Sequence, residues 1–248
     1  MSFFPKYRRS LDLSDFGPWT KKLDLSECDV IGVDFSKFTG LEEINLGFCR
    51  NLTSDQIKTL TASIKILNLQ KCDVRDFDFG KFTGLEEIKL SWSLNLTQVQ
   101  INALPTSLKR LNLWECDVAG VDFSKFMALE EIDWDGSNLT LSQINTLPIS
   151  IKKLDLRKRD LSGIDFSRFI ALEVVVLEAP PNPTPSQINE LPVWIKKLYL
   201  WGCDVKGYDL GKFAGLEEID LTNDSGNFTG DQIKTFSKSV KLKYQWYK

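Results

Sequence analysis

Three groups of side chains in this chain could do chemistry. Asp133, Asp135 and Asp155 would lie close together on neighbouring strands, and clustered carboxylates are the usual machinery of general acid–base catalysis. Cys28, Cys49, Cys72, Cys116 and Cys203 could ligate a metal or form disulfides. Asn51-Leu-Thr53, Asn95-Leu-Thr97, Asn138-Leu-Thr140 and Asn227-Phe-Thr229 match the N-glycosylation acceptor pattern, and a fifth copy, Asn182-Pro-Thr184, is blocked by its proline. Against catalysis and metal binding stands a gap in the composition. The 248 residues include no histidine, which removes the commonest general base and the commonest metal ligand.

The elements that must carry these residues repeat along the chain. Leu108 to Val118 reads Leu-Lys-Arg-Leu-Asn-Leu-Trp-Glu-Cys-Asp-Val, a strand whose Leu111 and Leu113 face one way while Arg110, Asn112 and Trp114 face the other. Equivalent anchors are Leu23, Ile44, Leu67, Ile88, Leu111, Ile132, Leu154, Val175, Leu198, Ile219 and Leu242, separated by 21, 23, 21, 23, 21, 22, 21, 23, 21 and 23 residues. Two repeat types therefore alternate, and eleven parallel strands are expected.

In the first type the strand is followed by Cys-Asp-Val and then by a single turn with apolar residues three apart, as in Phe35 and Phe38 or Phe79 and Phe82. These rings are read as a core spine. Asp34, Asp78, Asp122, Asp165 and Asp209 stand where a carboxylate caps that turn. In the second type Thr53, Thr97, Thr140, Thr184 and Thr229 each precede a glutamine by three residues, the signature of a capping box at a helix start. Capping accounts for every threonine of the glycosylation-like triplets.

Residues 1–20 fall outside the repeat and are read as an N-terminal cap covered by Phe3, Phe4, Leu11 and Trp19. Residues 21–248 form one repeat domain whose last strand, near 241–246, closes the other end. The residues two before each anchor alternate in sign from Lys21 to Glu217, which predicts a cross-strand charge ladder.

A shallow strand face encloses no dry pocket, so the carboxylates read as a solvated acidic patch, with no catalytic residue, metal or cofactor assigned. The cysteines read as buried free thiols in a reducing compartment. The net charge of −3 favours neither nucleic acid nor an anionic membrane, and no apolar run reaches the roughly 18 residues that span a bilayer. The start of the chain lacks the apolar core of a secretory signal, so the expected location is the cytoplasm or, after translocation, a host cell.

These anchors and strand phrases resemble the leucine-rich-repeat superfamily over roughly residues 21–248. Residues 104–113 and 147–156, with their Leu-Pro openings, are similar to repeats of bacterial effectors delivered into host cells. The resemblance implies an α/β solenoid, a horseshoe with parallel strands on the concave face and short helices on the convex face. It also implies a non-enzymatic scaffold that binds a protein partner on the concave face. A ligand- or glycan-binding receptor ectodomain and an enzyme using the acidic patch are the alternatives, and the chain is expected to be a monomer or a weak dimer. The contact surface is expected where the outward polar pattern fails: Val174, Val176, Tyr199 and Trp201, with Arg157, Asp133 and Asp155 beside them and Trp114 at the far edge.

Overall fold

A computed structural model describes residues 13–49, 51–134, 139–222, 231–232 and 239–244. Every anchor is the inward residue of a strand: β1 (Lys22–Asp24), β2 (Glu43–Asn45), β3 (Ile66–Asn68), β4 (Glu87–Lys89), β5 (Arg110–Asn112), β6 (Glu131–Asp133), β7 (Lys153–Asp155), β8 (Val174–Glu178), β9 (Lys197–Trp201), β10 (Glu218–Leu221) and β11 (Lys241–Tyr244). They follow one another in chain order in an eleven-stranded parallel sheet. The chain divides into two compact units, Met1–Leu129 with Asp133–Leu139, and Glu130–Ile132 with Thr140–Lys248.

In the first unit β1 to β5 pair anchor to anchor, Leu23 with Ile44, Ile44 with Leu67, Leu67 with Ile88 and Ile88 with Leu111. Phe35, Phe38, Phe79, Phe82, Phe123 and Phe126 are almost fully buried, as the spacing of the single turns requires. In the second unit Phe166, Phe169, Leu210 and Phe213 do the same, and β7 to β11 keep the same anchor register. Asp34, Asp122 and Asp165 accept from the backbone N–H two residues on, as does Asp78 from Gly80. Asp209 departs from the expectation and makes no side-chain cap bond.

The second repeat type places α1 (Ser54–Lys58), α2 (Gln98–Asn102), α3 (Leu141–Thr146) and α4 (Pro185–Glu190) behind the strands. All four start with a reciprocal capping box, formed by Thr53 with Gln56, Thr97 with Gln100, Thr140 with Gln143 and Thr184 with Gln187. Thr229 lies outside the described residues. The glutamine amides have a second use. Gln56 donates to the carbonyls of Val30 and Val33, and Gln100 to those of Val74 and Phe77, so these two boxes also tie their helices to the preceding repeat.

Two backbone features were invisible in the periodicity. The fourth residue after the anchor takes a left-handed conformation in Glu27, Phe48, Lys71, Trp92, Glu115 and Lys158, with Gly202 at the same place. This turns the chain off the strand after three residues. In the first type of repeat a second left-handed residue follows, supplied by Gly32, Gly120, Gly163 and Gly207 but by Asp76 in the third repeat.

Before β1, Pro18 accepts a hydrogen bond from Gly40 N–H at 2.9 Å. Trp19, expected to help cover the first repeat, is 73% exposed with its ring beside Gly17. Phe3, Phe4 and Leu11 lie outside the described residues.

Replacing Thr97 by Ala should lower stability by about 0.5–2 kcal/mol, because the start of α2 loses its acceptor. Chemical denaturation of the purified chain measures it. Replacing Asp76 by Gly should act oppositely, raising stability by up to about 1 kcal/mol where a left-handed residue loses its Cβ clash. An unchanged midpoint would mean that the Asp76 carboxylate makes good that clash.

Candidate protein-binding face

The inward residues of the strands are buried, so only the outward ones can meet a partner. In the first unit they form charge ladders. Lys21 and Lys65 reach the Glu42 carboxylate at 2.8 and 2.7 Å, and these two ammonium groups hold its pKa down at about 2. Lys109 meets Glu86 at 2.8 Å. One column over, Lys22 meets Glu43 at 2.7 Å and Arg110 meets Glu87 at 2.6 Å. In the second unit Lys152 meets Glu130 at 2.8 Å and Lys196 meets Glu173 at 3.0 Å. Exposed pairs like these contribute little stability each, about 0–1 kcal/mol. Their effect is to leave most of the face internally satisfied.

The pattern changes on β8 and β9. Both strands run for five residues, paired from Val174 with Lys197 through Glu178 with Trp201. At the position where other repeats turn off in a left-handed residue, Ala179 is not left-handed, though its N–H donates to Trp201 O at 3.0 Å as that of Lys158 does to Glu178 O. The extra length brings Trp201 onto the sheet, where its ring lies 5.8 Å from that of Tyr199 at an interplanar angle of 58°. Arg157 places its guanidinium carbon 5.7 Å from the centroid of the Trp201 ring. That guanidinium is fixed by Asp155: Nε donates to Oδ1 at 2.9 Å and Nη2 to Oδ2 at 2.9 Å. Asp155, Arg157, Trp201 and Tyr199 thus form one continuous line of contacts, a cluster of residue types enriched at binding hot spots.

Of the expected site residues, Tyr199, Trp201, Arg157, Asp155 and Val174 are half-buried and share this face of the second unit. Val176 is a correction. It is only 5% exposed, because this short side chain lies in register between Asp155 and Tyr199 and is overtopped by larger neighbours. It supports the anchor from below instead of presenting itself. Trp114 and Asp133 belong to the first unit, where both are half-buried and the Asn112 amide approaches the Asp133 carboxylate at 3.5 Å. Asp135 lies outside the described residues. Asp155 is held by its arginine, both carboxylate oxygens accepting from the guanidinium.

Glu178 and Glu218 were not singled out by the sequence reading. Glu178 meets Lys158 at 3.4 Å, and Glu218 meets Lys243 at 2.7 Å. Burial raises the pKa of the Tyr199 phenol, and the nearby Glu218 carboxylate adds to the effect. Also missed were Phe48 and Trp92 in the first unit, 39% and 46% exposed at the left-handed turn position. The run of lysines behind them was missed as well. Lys81 donates to the carbonyls of Ile57, Lys58 and Leu60, and Lys212 to those of Asn189 and Leu191, so each closes the end of the preceding repeat's helix. A basic residue fourteen positions after each first-type anchor, Lys37, Lys81, Lys125, Arg168 and Lys212, was the available signal.

All five cysteines are free thiols, Cys28 half-buried and the other four buried. Their regular placement has a backbone cause. Cys49 Sγ donates to Leu25 O at 3.0 Å, Cys72 Sγ to Leu46 O at 3.1 Å and Cys116 Sγ to Leu90 O at 3.0 Å. Ser93 Oγ fills the same position, donating to Leu69 O at 3.0 Å. Burial pushes the Cys49 thiol up to about 12 and the Cys72 and Cys116 thiols up to about 11. The asparagines of the glycosylation-like triplets also serve the backbone loops, Asn51 and Asn95 donating to Asp29 and Asp73 at 3.2 and 3.1 Å. Asn138 and Asn227 lie outside the described residues. Among the described residues no helix is long and apolar enough to cross a membrane.

A thiol reagent at neutral pH should therefore label Cys28 first and leave the other four unmodified until denaturant is added. Peptide mapping by mass spectrometry reads this, and early labelling of Cys72 would contradict its burial.

No protein-family model matches the chain, and no curated protein matches it in sequence. Solved structures do match it. An internalin, InlF, from Listeria monocytogenes superposes with a TM-score of 0.63 at 15% identity, over 92% of this chain and 68% of that one. The leucine-rich-repeat-containing protein LegL7 from Legionella pneumophila gives 0.53 at 12% identity, over 90% and 89%. The functional domain of InlJ from Listeria monocytogenes, described as including a cysteine ladder, gives 0.56 at 17% identity, over 94% of this chain and 55% of that one. With strand register, alternating repeats and these likenesses in agreement, the chain has the leucine-rich-repeat fold.

Proposed function

We propose that this chain is a non-enzymatic scaffold that binds a protein partner on the outward strand face, with the Tyr199–Trp201 pair as its anchor. One observation carries the reading. Elsewhere on the described face charges are matched within the sheet, whereas here two half-buried aromatic rings are held rigid by Arg157 and Asp155. Rigid aromatic side chains lose little conformational entropy on binding and bury a large area, which is why they dominate interface energetics. The buried, protonated thiols suit a reducing compartment.

The test is affinity capture with the intact chain beside a Tyr199→Ala, Trp201→Ala double variant, followed by titration of the purified captured protein. Binding should weaken by at least about 2 kcal/mol in the double variant, with little change in melting temperature. Unchanged affinity there, with Trp114→Ala also silent, would move the site off this face.

A further inference from the structure

Past the ends of the strands, outside the charge ladders, the first unit carries a second row of side chains. The fourth residue after the anchor is Glu27, Phe48, Lys71, Trp92 and Glu115 in five successive repeats, and all five are left-handed. Their backbones keep the spacing of the sheet. Glu27 N–H donates to Gly47 O at 2.9 Å, Phe48 to Gln70 O at 2.7 Å, Lys71 to Ser91 O at 3.0 Å and Trp92 to Trp114 O at 2.9 Å. Equal backbone conformations at equal register start the five side chains in one direction, along the rim of the outward face.

The turn itself needs no aromatic ring, because Lys71, Glu115 and Gly202 make it as well. A bulky side chain only adds strain there. Phe48 and Trp92 nevertheless stand at this place, 39% and 46% exposed, with Lys71 between them and its ammonium 5.8 Å from the centroid of the Phe48 ring. The two rings are carried two sheet spacings apart, roughly 9.6 Å. A polyproline II segment rises about 3.1 Å per residue and turns once in three, so equivalent side chains recur every roughly 9.3 Å. The charges of the row complete the match. Glu27 and Glu115 stand one sheet spacing beyond each ring, and among the described residues neither pairs with a cation. Among the same residues the Trp92 indole N–H has no acceptor, and a proline-rich segment offers carbonyls with few N–H groups of its own.

We propose that this rim binds a proline-rich segment in the polyproline II conformation, with prolines three apart on Phe48 and Trp92 and a Lys or Arg beyond them facing Glu115 or Glu27. Flat rings set at the repeat of the ligand recognise a conformation that the ligand already holds, so little entropy is lost on binding. The flanking carboxylates select a basic segment and disfavour an acidic one. This site is separate from the Tyr199–Trp201 pair and does not depend on it.

Titration of the intact chain with labelled synthetic peptides, read by fluorescence anisotropy, tests it. The probes are ten prolines followed by Arg-Arg, ten prolines followed by Glu-Glu, and a glycine–serine decapeptide followed by Arg-Arg. The first should bind most tightly, and more weakly as salt rises. Phe48→Leu with Trp92→Leu keeps apolar side chains at both places and should weaken the first peptide about tenfold or more. Glu27→Gln with Glu115→Gln should bring the two proline peptides to equal affinity. Tyr199→Ala with Trp201→Ala should change neither, so the two sites can fail separately. If the leucine pair lowers the melting temperature, Trp92→Gly makes the same test with a residue that the turn already accepts in Gly202. No binding of either proline peptide, or affinity that survives the loss of the rings, would overturn the proposal. So would a glycine–serine peptide that binds as tightly as the first, or a preference for Arg-Arg that survives both glutamines. A chain that ignores the proline peptides and binds chitotetraose through Phe48 and Trp92 would replace the peptide by a glycan.

Discussion

The structure depends on how one repeat satisfies the backbone of the one before it. A parallel strand of three residues pairs only a few of the N–H and C=O groups in a unit of about 22 residues, and buried groups left unpaired cost free energy. The remaining carbonyls are met by side chains from the next repeat. Cys49 reaches back to Leu25, Gln56 to Val30 and Val33, and Lys81 to the end of α1. Polar and sulfur-bearing residues that look like candidates for chemistry are thus committed to holding consecutive turns in register. The cost of breaking one is local, as expected for a fold in which each repeat depends on its neighbours.

The same economy explains the outward face. Charges that alternate along the columns are neutralised within the sheet, which leaves little net field and little reason for another protein to adhere. The proposed binding site is accordingly sought where the alternation breaks. At β8 the chain omits both the left-handed turn and the glutamate, and the longer strand pair presents Trp201 beside Tyr199. A change in backbone and a change in charge coincide within two residues. That coincidence, rather than any single exposed aromatic, distinguishes this place from Phe48 or Trp92.

Asp155 and Arg157 show how a group that suggests catalysis becomes a support. The carboxylate fixes the guanidinium, the guanidinium lies over the indole, and the indole meets the phenol ring. Each contact limits the rotamers of the next, so the cluster is held within the chain itself. Preorganisation of this kind reduces the entropy lost on binding.

The strands, their register, the capping boxes and the phenylalanine spine were legible in the sequence, because each is set by local spacing: two residues for a strand face, three for a helical turn, and 21 to 23 between anchors. The aromatic residues of the candidate site were legible too, as breaks in a polar pattern. What the sequence left open was decided by contacts between residues more than 20 positions apart. Arg157 lies over Trp201 because parallel pairing brings their repeats together, and Val176 is buried because Tyr199 and Asp155 flank it across that pairing. Likewise, the left-handed turns at Glu27, Phe48 and Lys71 carry no glycine signal, since each is held by a hydrogen bond to the following repeat. Periodicity determines which side of a strand a residue takes, and only the packed repeats determine what stands over it.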